Sequence, residues 1–167
     1  HAYFGIHRPD VVINCAAYTA VDKAETDTET AFLVNATASG NLAKAAQASG
    51  CFMVHVSTDY VYDGRNYCPY TESDAVNPVS VYGKSKLAGE QEVLQSGARA
   101  IIIRTSWLYS AFGNNFVKTM IKYGREREAL NVVFDQAGTP TYAFDLAKTI
   151  LDILPKAVTS RETGIFH

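Results

Sequence analysis

The stretch FMVHVS at residues 52–57 decides the fold, because a short apolar run of this kind is typical of a strand buried on both faces. Similar runs stand at residues 11–14 (VVIN) and 100–104 (AIIIR). Between them the apolar residues recur at helical spacing, over about 22–49 and 80–95. Strands that alternate with helices of this length form βαβ units. The sequence therefore predicts an α/β fold with a doubly wound, Rossmann-like parallel sheet.

The second half of the chain continues the alternation of strand and helix. Its spacing predicts a helix at 112–124, a strand at 130–134, a helix at 143–156 that ends near Pro155, and the start of a strand at 164–167. None of the eleven glycines forms the Gly-x-Gly-x-x-Gly turn after a strand with which a dinucleotide-binding sheet normally begins. We therefore expect an internal portion of a longer polypeptide, with the sheet incomplete at its N-terminal and C-terminal ends.

Composition limits the classes of function. A net charge of −2 gives no electrostatic case for binding nucleic acid or an anionic membrane, and no apolar stretch approaches the roughly 18 residues of a membrane span. Cys15, Cys51 and Cys68 are odd in number and scattered, which favours free thiols in a reducing, cytoplasmic compartment. No two cysteines or histidines stand at ligand spacing, so no metal site is predicted.

Three loops leave the carboxyl ends of the predicted strands, at residues 14–19, 57–60 and 105–107. In open parallel sheets ligands bind at these ends, so we expect the three loops to converge on one crevice. The segment 59–78 is a long loop with four tyrosines, which indicates an ordered binding loop.

Tyr82 and Lys86 stand four positions apart at the start of the predicted helix 80–95, so both side chains share one face. An ammonium beside a phenol favours the ionised phenol, and such a tyrosine exchanges a proton near neutral pH. With ten tyrosines in the chain, the chance that one Tyr-x-x-x-Lys pair arises at random is about one half. The context favours a catalytic role for this pair, because it follows a strand that ends in hydroxyl side chains at Ser57 and Thr58.

Five blocks of sequence, in order, carry a resemblance to a known family. They are 14–25 (NCAAYTAVDKAE), 57–64 (STDYVYDG), 82–90 (YGKSKLAGE), 104–107 (RTSW) and 135–141 (DQAGTPT). Together they resemble the dTDP-4-dehydrorhamnose reductases, which are extended members of the short-chain dehydrogenase/reductase superfamily. The likeness covers nearly the whole chain.

The resemblance implies the catalytic residues. Tyr82 would donate a proton to a substrate carbonyl, Lys86 would bind the nicotinamide ribose and lower the tyrosine pKa, and Thr58 would hydrogen-bond the carbonyl oxygen. The implied reaction is reduction of C4 of dTDP-4-dehydro-β-L-rhamnose to dTDP-β-L-rhamnose, with hydride from NADPH or NADH.

The resemblance also implies the binding residues. The cofactor contacts would be Ala17, Tyr18 and Thr19, with Tyr82 and Lys86. The dTDP-sugar contacts would be Thr58, Asp59 and Trp107, the last as a flat apolar face against the sugar ring. Asp59 has the alternative role of steadying its own loop, and Asn14 is expected to order its strand-end loop through backbone hydrogen bonds.

Three parts of the chain follow from the same resemblance. We expect a dinucleotide-binding portion at 1–108, part of a substrate-binding lobe at 109–142, and a helix and strand returning to the main sheet at 143–167.

The glycine-rich turn and the residue that selects NAD or NADP are absent from these 167 residues, so the cofactor choice stays open and the portion alone is expected to bind cofactor poorly. The family often uses Mg²⁺ at a subunit contact, and the resemblance allows both Mg²⁺ and a homodimer here, but no residue of this sequence is assigned to either.

Close relatives within the superfamily are the first alternatives. Nucleotide-sugar 4,6-dehydratases and 4-epimerases share the sheet and the Tyr-Lys couple. A dehydratase needs an acid/base pair, usually Asp-Glu directly after the threonine, whereas Asp59 is followed here by Tyr60. Simple carbonyl reduction is therefore favoured. An epimerase fits the blocks at 60–64 and 138–141 less well.

A non-catalytic protein is the second alternative. The regulatory subunit of methionine adenosyltransferase resembles these reductases and serves as a binding partner. The presence of Thr58, Tyr82 and Lys86 counts against this interpretation.

Overall fold

The computed structural model describes residues 2–133, 136–160 and 162–167. In chain order its elements are α1 (Ala2–His7), β1 (Val11–Asn14), α2 (Val21–Ala24), α3 (Thr28–Phe32), a π-helical turn (Leu33–Thr37), α4 (Ala38–Ser49), β2 (Phe52–Thr58), a 3₁₀ turn (Asp59–Val61), α5 (Val81–Gln95), β3 (Ala100–Thr105), β4 (Leu108–Tyr109), α6 (Phe116–Glu126), β5 (Thr141–Tyr142), α7 (Ala143–Ser160) and β6 (Gly164–Phe166).

The predicted parallel α/β sheet is confirmed. Its four strands run in the order β1-β2-β3-β6, and every neighbouring pair is parallel. One face of the sheet packs against α1, α4 and α5, through a cluster that includes Met53 and Ile102. The other face packs against α7, through Val54 and Ile103. Both faces are covered, which explains why the strands read as nearly continuous apolar runs.

The helix expected over residues 22–49 is divided into four pieces. It is interrupted after Ala24, where the Thr26 hydroxyl donates to the Lys23 carbonyl and gives the backbone a local alternative to the helix. A π-helical turn then separates α3 from α4. Gly50 ends α4 in the left-handed conformation with φ 71°, as predicted.

Helix α5 is confirmed almost at its predicted bounds, with Ser80 as the N-cap that accepts a hydrogen bond from the Gly83 amide at 3.0 Å. Two glycines let this helix approach its neighbours closely. A Cβ at Gly83 would overlap the Tyr60 carbonyl oxygen, and one at Gly89 would overlap the Asn35 carbonyl oxygen. The start of α5 is therefore held against the turn that follows β2.

The second half of the chain departs from the predicted bounds in three places. Helix α6 starts at Phe116, because Asn115 caps it by accepting from the Lys118 amide at 3.0 Å. The strand predicted at 130–134 is wrong over 130–133, which are irregular; Leu130 is half-buried and 131–133 are exposed, and Phe134 lies outside the described residues.

Helix α7 continues to Ser160 and does not end near Pro155. A proline inside a helix removes one backbone hydrogen bond, but Ile150 and Ala157 are buried on either side of it and anchor both halves. Strand β6 forms where the sequence predicted one. Across the described ranges, no helix is long and apolar enough to cross a membrane.

Candidate active site

The loops after β1 and β2 meet the start of α5 at one edge of the sheet, and the loop at 105–107 lines a cleft together with Asp59 and Tyr60. The convergence of all three loops on one crevice stays a prediction. Tyr82, in the first turn of α5, is only 9% exposed and belongs to a small apolar cluster with Ala24 and Ala31. Tyr18, from the loop after β1, and Tyr60, from the turn after β2, pack against the same cluster. The Tyr60 and Tyr82 rings meet edge to face, with centroids 5.5 Å apart.

The surroundings of Tyr82 raise its pKa, which is a direction that the sequence did not predict. Burial raises the pKa of Tyr82, the neighbouring Thr58 hydroxyl lowers it, and the charge of Asp59 and the Tyr60 ring raise it further. The net shift of the Tyr82 pKa is upward because burial dominates, and the group that opposes it is Thr58. The expectation that Lys86 lowers the Tyr82 pKa stays a prediction. A phenol held neutral in this way is suited to donate a proton rather than accept one.

Lys86 lies one turn along α5 and is 2% exposed. Its Nζ donates to the Val56 carbonyl oxygen at 2.8 Å, which fixes the ammonium beneath the end of β2. Burial lowers the pKa of Lys86 to about 8, while the charges of Glu90 and Cys15 act in the opposite direction. The amine is therefore poised to change its charge only slightly above neutral pH.

Thr58 and Asp59 form the turn that leaves β2. The Thr58 hydroxyl accepts from the Tyr60 amide at 3.2 Å and donates to Asp59 Oδ1 at 3.1 Å. Burial raises the pKa of Asp59, and the Thr58 hydrogen bond opposes that shift. Asp59 thus steadies its own loop, as the alternative interpretation of this residue predicted, and its carboxylate is held by the same hydroxyl that acts on Tyr82.

The loop after β1 carries the three residues expected to contact the cofactor, and two buried asparagines order it. Asn14 Oδ1 accepts from the Ala16 amide at 3.2 Å, which confirms the backbone role predicted for Asn14. Asn35 Oδ1 accepts from the Tyr18 amide at 2.8 Å. Within the loop Ala17 and Tyr18 are half-buried and Thr19 is exposed.

Asn35 is a residue that sequence reasoning missed. It lies in the π-helical turn and is fully buried. A signal was present, since Asn35 is a polar residue that directly follows Val34 in the apolar stripe of this segment. Buried amides of this kind require partners, and single π turns are frequent at functional sites.

A cleft of about 1240 Å³ opens beside the turn after β2. Asp59 and Trp107 both line it, whereas Thr58 and Tyr82 are not among its lining residues. Trp107 is 41% exposed, and its backbone has a φ of 44° that is rare for a residue other than glycine. The structure therefore brings two of the three expected sugar contacts, Asp59 and Trp107, to one cleft, and Thr58 is the residue before Asp59.

A buried ion pair to which the sequence analysis assigned no role joins α5 to the sheet next to the site. Glu90 on α5 and Arg104 on β3 form a buried ion pair, and the Ser57 hydroxyl donates to the same carboxylate. Within the described part of the chain, no group of three or more His, Cys, Asp or Glu side chains is placed to hold a metal ion.

A parallel sheet whose strand ends face a buried tyrosine, with a lysine one turn further along the same helix, defines the class of short-chain dehydrogenase/reductases. The family model described as the RmlD substrate binding domain matches residues 1–167, and the chain belongs to this family.

Individual relatives agree with the predicted resemblance. The dTDP-4-dehydrorhamnose reductase of Salmonella typhimurium is 47% identical over 161 residues, which are 96% of this chain and 54% of that protein. The spore coat polysaccharide biosynthesis protein SpsK of Bacillus subtilis is 41% identical over 164 residues, 98% of this chain and 56% of that protein. The chain thus spans about half the length of the curated relatives it matches.

A solved structure shows the same fold. The dTDP-4-dehydrorhamnose reductase of Bacillus anthracis in complex with NADP superposes with a TM-score of 0.92 at 44% identity, covering 99% of this chain and 58% of that one. This likeness confirms the fold predicted from the alternation of strands and helices and the family predicted from the five sequence blocks.

Proposed function

We propose that this chain is the part of a reductase that protonates a sugar ketone, in the NADPH-dependent reduction of the C4 carbonyl of dTDP-4-dehydro-β-L-rhamnose to dTDP-β-L-rhamnose. The observation that carries the proposal is the buried Tyr82 phenol, held neutral beside the Thr58 hydroxyl at the rim of the sheet. The Salmonella typhimurium relative is a dTDP-4-dehydrorhamnose reductase, which supports the substrate, and the NADP in the Bacillus anthracis structure supports the cofactor.

The chain's own residues divide the work at the carbonyl. Tyr82 gives its phenolic proton to the C4 oxygen as that oxygen becomes an alkoxide. Thr58 donates a hydrogen bond to the same oxygen, and acts as a preorganised donor because its position is fixed by the turn after β2. Asp59, which accepts from Thr58 at 3.1 Å, keeps that hydroxyl oriented until substrate binds.

The residues present fit a nicotinamide cofactor. A buried ammonium and a phenol stand one turn apart on α5, and the loop with Ala17, Tyr18 and Thr19 packs against the same cluster as the phenol. These five residues would hold the nicotinamide half, with Lys86 as the cation that binds the ribose hydroxyls. When bound, NADPH supplies the hydride; the protein supplies orientation and the proton.

The substrate binds in the cleft beside the turn after β2. Trp107 offers its indole face to the sugar ring and Asp59 offers a carboxylate to the sugar hydroxyls, since both line the same space. On this basis residues 1–108 form the dinucleotide-binding portion, 109–142 belong to the substrate-binding lobe, and 143–167 return to the main sheet. The free thiols of all three cysteines fit a reducing, cytoplasmic setting.

The test is the rate of nicotinamide oxidation by the full-length protein with dTDP-4-dehydrorhamnose. We expect Tyr82→Phe to lose about a thousandfold in kcat, because general acid catalysis is typically worth roughly 10²–10⁴. Tyr3→Phe is the matched control, since Tyr3 is 67% exposed on α1, does not line the cleft and should leave the rate unchanged. Equal rates for Tyr82→Phe and the unmodified protein would overturn the assignment.

The same assay separates the alternatives. A non-catalytic binding subunit would oxidise no cofactor with this substrate. A 4-epimerase would interconvert sugar epimers with no net oxidation of the cofactor, and product analysis by NMR distinguishes the two sugars.

A further inference from the structure

A buried ion pair ties the helix that carries Tyr82 and Lys86 to the sheet. Arg104 on β3 donates from Nε to Glu90 Oε1 at 3.0 Å and from Nη2 to Glu90 Oε2 at 2.7 Å. Ser57, the residue before Thr58, donates to Glu90 Oε1 at 2.5 Å. Glu90 is 1% exposed, so this carboxylate is held by three hydrogen bonds away from water.

Lys86 precedes Glu90 by four residues on α5, so the two side chains share one face of the helix. The charged and titratable groups that act on Lys86 from the elements packed around it are Glu90 on its own helix, Cys15 after β1 and His55 on β2. Among these groups of the described residues, Glu90 is the one that brings a fixed carboxylate. The Val56 carbonyl positions the Lys86 ammonium but carries no net charge to compensate it.

The geometry points to Glu90 as a positioning residue for Lys86: clamped by Arg104 and Ser57, it supplies a fixed counter-charge one helical turn from the ammonium and keeps that amine a cation where the cofactor would bind. The importance of this role for catalysis rests on the proposed function. The clamp also explains why the carboxylate does not turn towards Lys86 and form a direct pair, since both of its oxygens are already engaged.

A purely structural role for the ion pair is a weaker explanation. Replacing a buried ion pair by neutral side chains of similar volume is often neutral or stabilising, so a buried pair is by itself weak evidence for a role in stability. Its place between the end of β2 and α5 is the place from which a negative charge acts on Lys86.

The direct test is the titration of Lys86 itself in the full-length protein. The measurement is the ¹³Cε chemical shift of Lys86 in lysine-labelled protein, assigned by its loss in Lys86→Arg. We expect Glu90→Gln to weaken proton binding to Lys86 by about tenfold or more, because a neighbouring opposite charge is worth at least that much. Glu92→Gln is the matched control: Glu92 is a partly exposed carboxylate on the same helix, paired with Lys44.

Two further variants separate charge from packing. Glu90→Gln/Arg104→Met leaves no unpaired buried charge, so it tests the titration even if the single variant fails to fold. Glu90→Asp keeps the charge and shortens the clamp, so we expect it to lower the melting temperature while Lys86 titrates as in the unmodified protein. A structural role alone would instead lower the melting temperature in both Glu90→Asp and Glu90→Gln without moving the Lys86 titration.

The inference is overturned if Lys86 titrates at the same pH in Glu90→Gln and in the double variant as in the unmodified protein, or if Glu92→Gln moves it equally. A shifted titration in a protein that shows no reductase activity would support the counter-charge and reject the proposed function, so the two failures are distinguishable. Where activity is present, the alkaline limb of kcat/KM should move to lower pH in Glu90→Gln.

Discussion

The carboxamide of Asn35 hydrogen-bonds both backbone groups of Tyr18: Oδ1 accepts from the Tyr18 amide at 2.8 Å, and Nδ2 donates to the Tyr18 carbonyl at 3.1 Å. The second Nδ2 proton goes to the Ser85 hydroxyl at 2.9 Å, and that hydroxyl donates to the Tyr82 carbonyl at 2.8 Å. One side chain thus joins the loop after β1 to the first turn of α5. The residues expected to meet the cofactor and the proposed proton donor are held in place together.

Asn35→Ala should loosen both the loop after β1 and the first turn of α5. Removing the carboxamide leaves the Tyr18 backbone groups without these partners, and an unsatisfied buried group costs about 1–3 kcal/mol. We expect the free energy of unfolding in urea to fall by about that amount, and the affinity for NADPH to fall with it. Asn41→Ala is the control, because Asn41 is an exposed asparagine on α4 and should change stability by less than about 0.5 kcal/mol. Equal effects of the two substitutions would contradict the role given to Asn35.

His55 makes the stability of the fold depend on pH. The ring is fully buried on β2, and its Nδ1 lies 3.0 Å from Asn14 Nδ2, so Nδ1 accepts and the neutral ring carries its proton on Nε2. Burial and the charge of Lys86 lower the pKa of His55 to about 3, from 6.5 in an unfolded chain. Between these values the unfolded state binds more protons, so the free energy of unfolding falls as the pH falls from 6.5 towards 3.

The His55→Gln variant checks this sign. We expect its free energy of unfolding to decline less steeply over that range, by up to about 1.4 kcal/mol per pH unit, since each unit of pKa shift corresponds to that energy. Carboxylates titrate in the same range, so the comparison is between variant and unmodified protein at each pH. His7→Gln, on the exposed surface of α1, should retain the unmodified slope. An unchanged slope in His55→Gln would mean that the His55 ring takes up its proton over the same pH range in the folded and the unfolded state, which would contradict the lowered pKa.

The parts of the fold that sequence predicted are those decided by neighbours along the chain. The main strands, α5 and the Tyr82–Lys86 spacing all follow from local periodicity. Asn35 and Ser85 are 50 residues apart, and Ser57 and Glu90 are 33 apart, so these contacts exist only once the helices lie on the sheet. The same holds for the Tyr82 pKa, whose direction is set by burial that the spacing of two residues does not reveal.

Gly138 sets the position of the Trp107 ring. A Cβ at residue 138 would lie 2.8 Å from Trp107 Cε2 and 2.9 Å from Cζ2, closer than carbon atoms pack, so Gly138→Ala must displace the indole. We expect KM for the dTDP-sugar to rise by about tenfold, the equivalent of roughly 1.4 kcal/mol, with a smaller change in kcat, because Trp107 is proposed to bind the sugar and not to react. Gly124→Ala on α6 is the control, since no atom beyond its chain neighbours and the backbone of its own helix lies within 4 Å of the added Cβ. Because Trp107 is the only tryptophan of these 167 residues, its fluorescence emission should shift in Gly138→Ala and stay constant in Gly124→Ala. An unchanged KM together with a shifted emission would place the sugar elsewhere than on this ring.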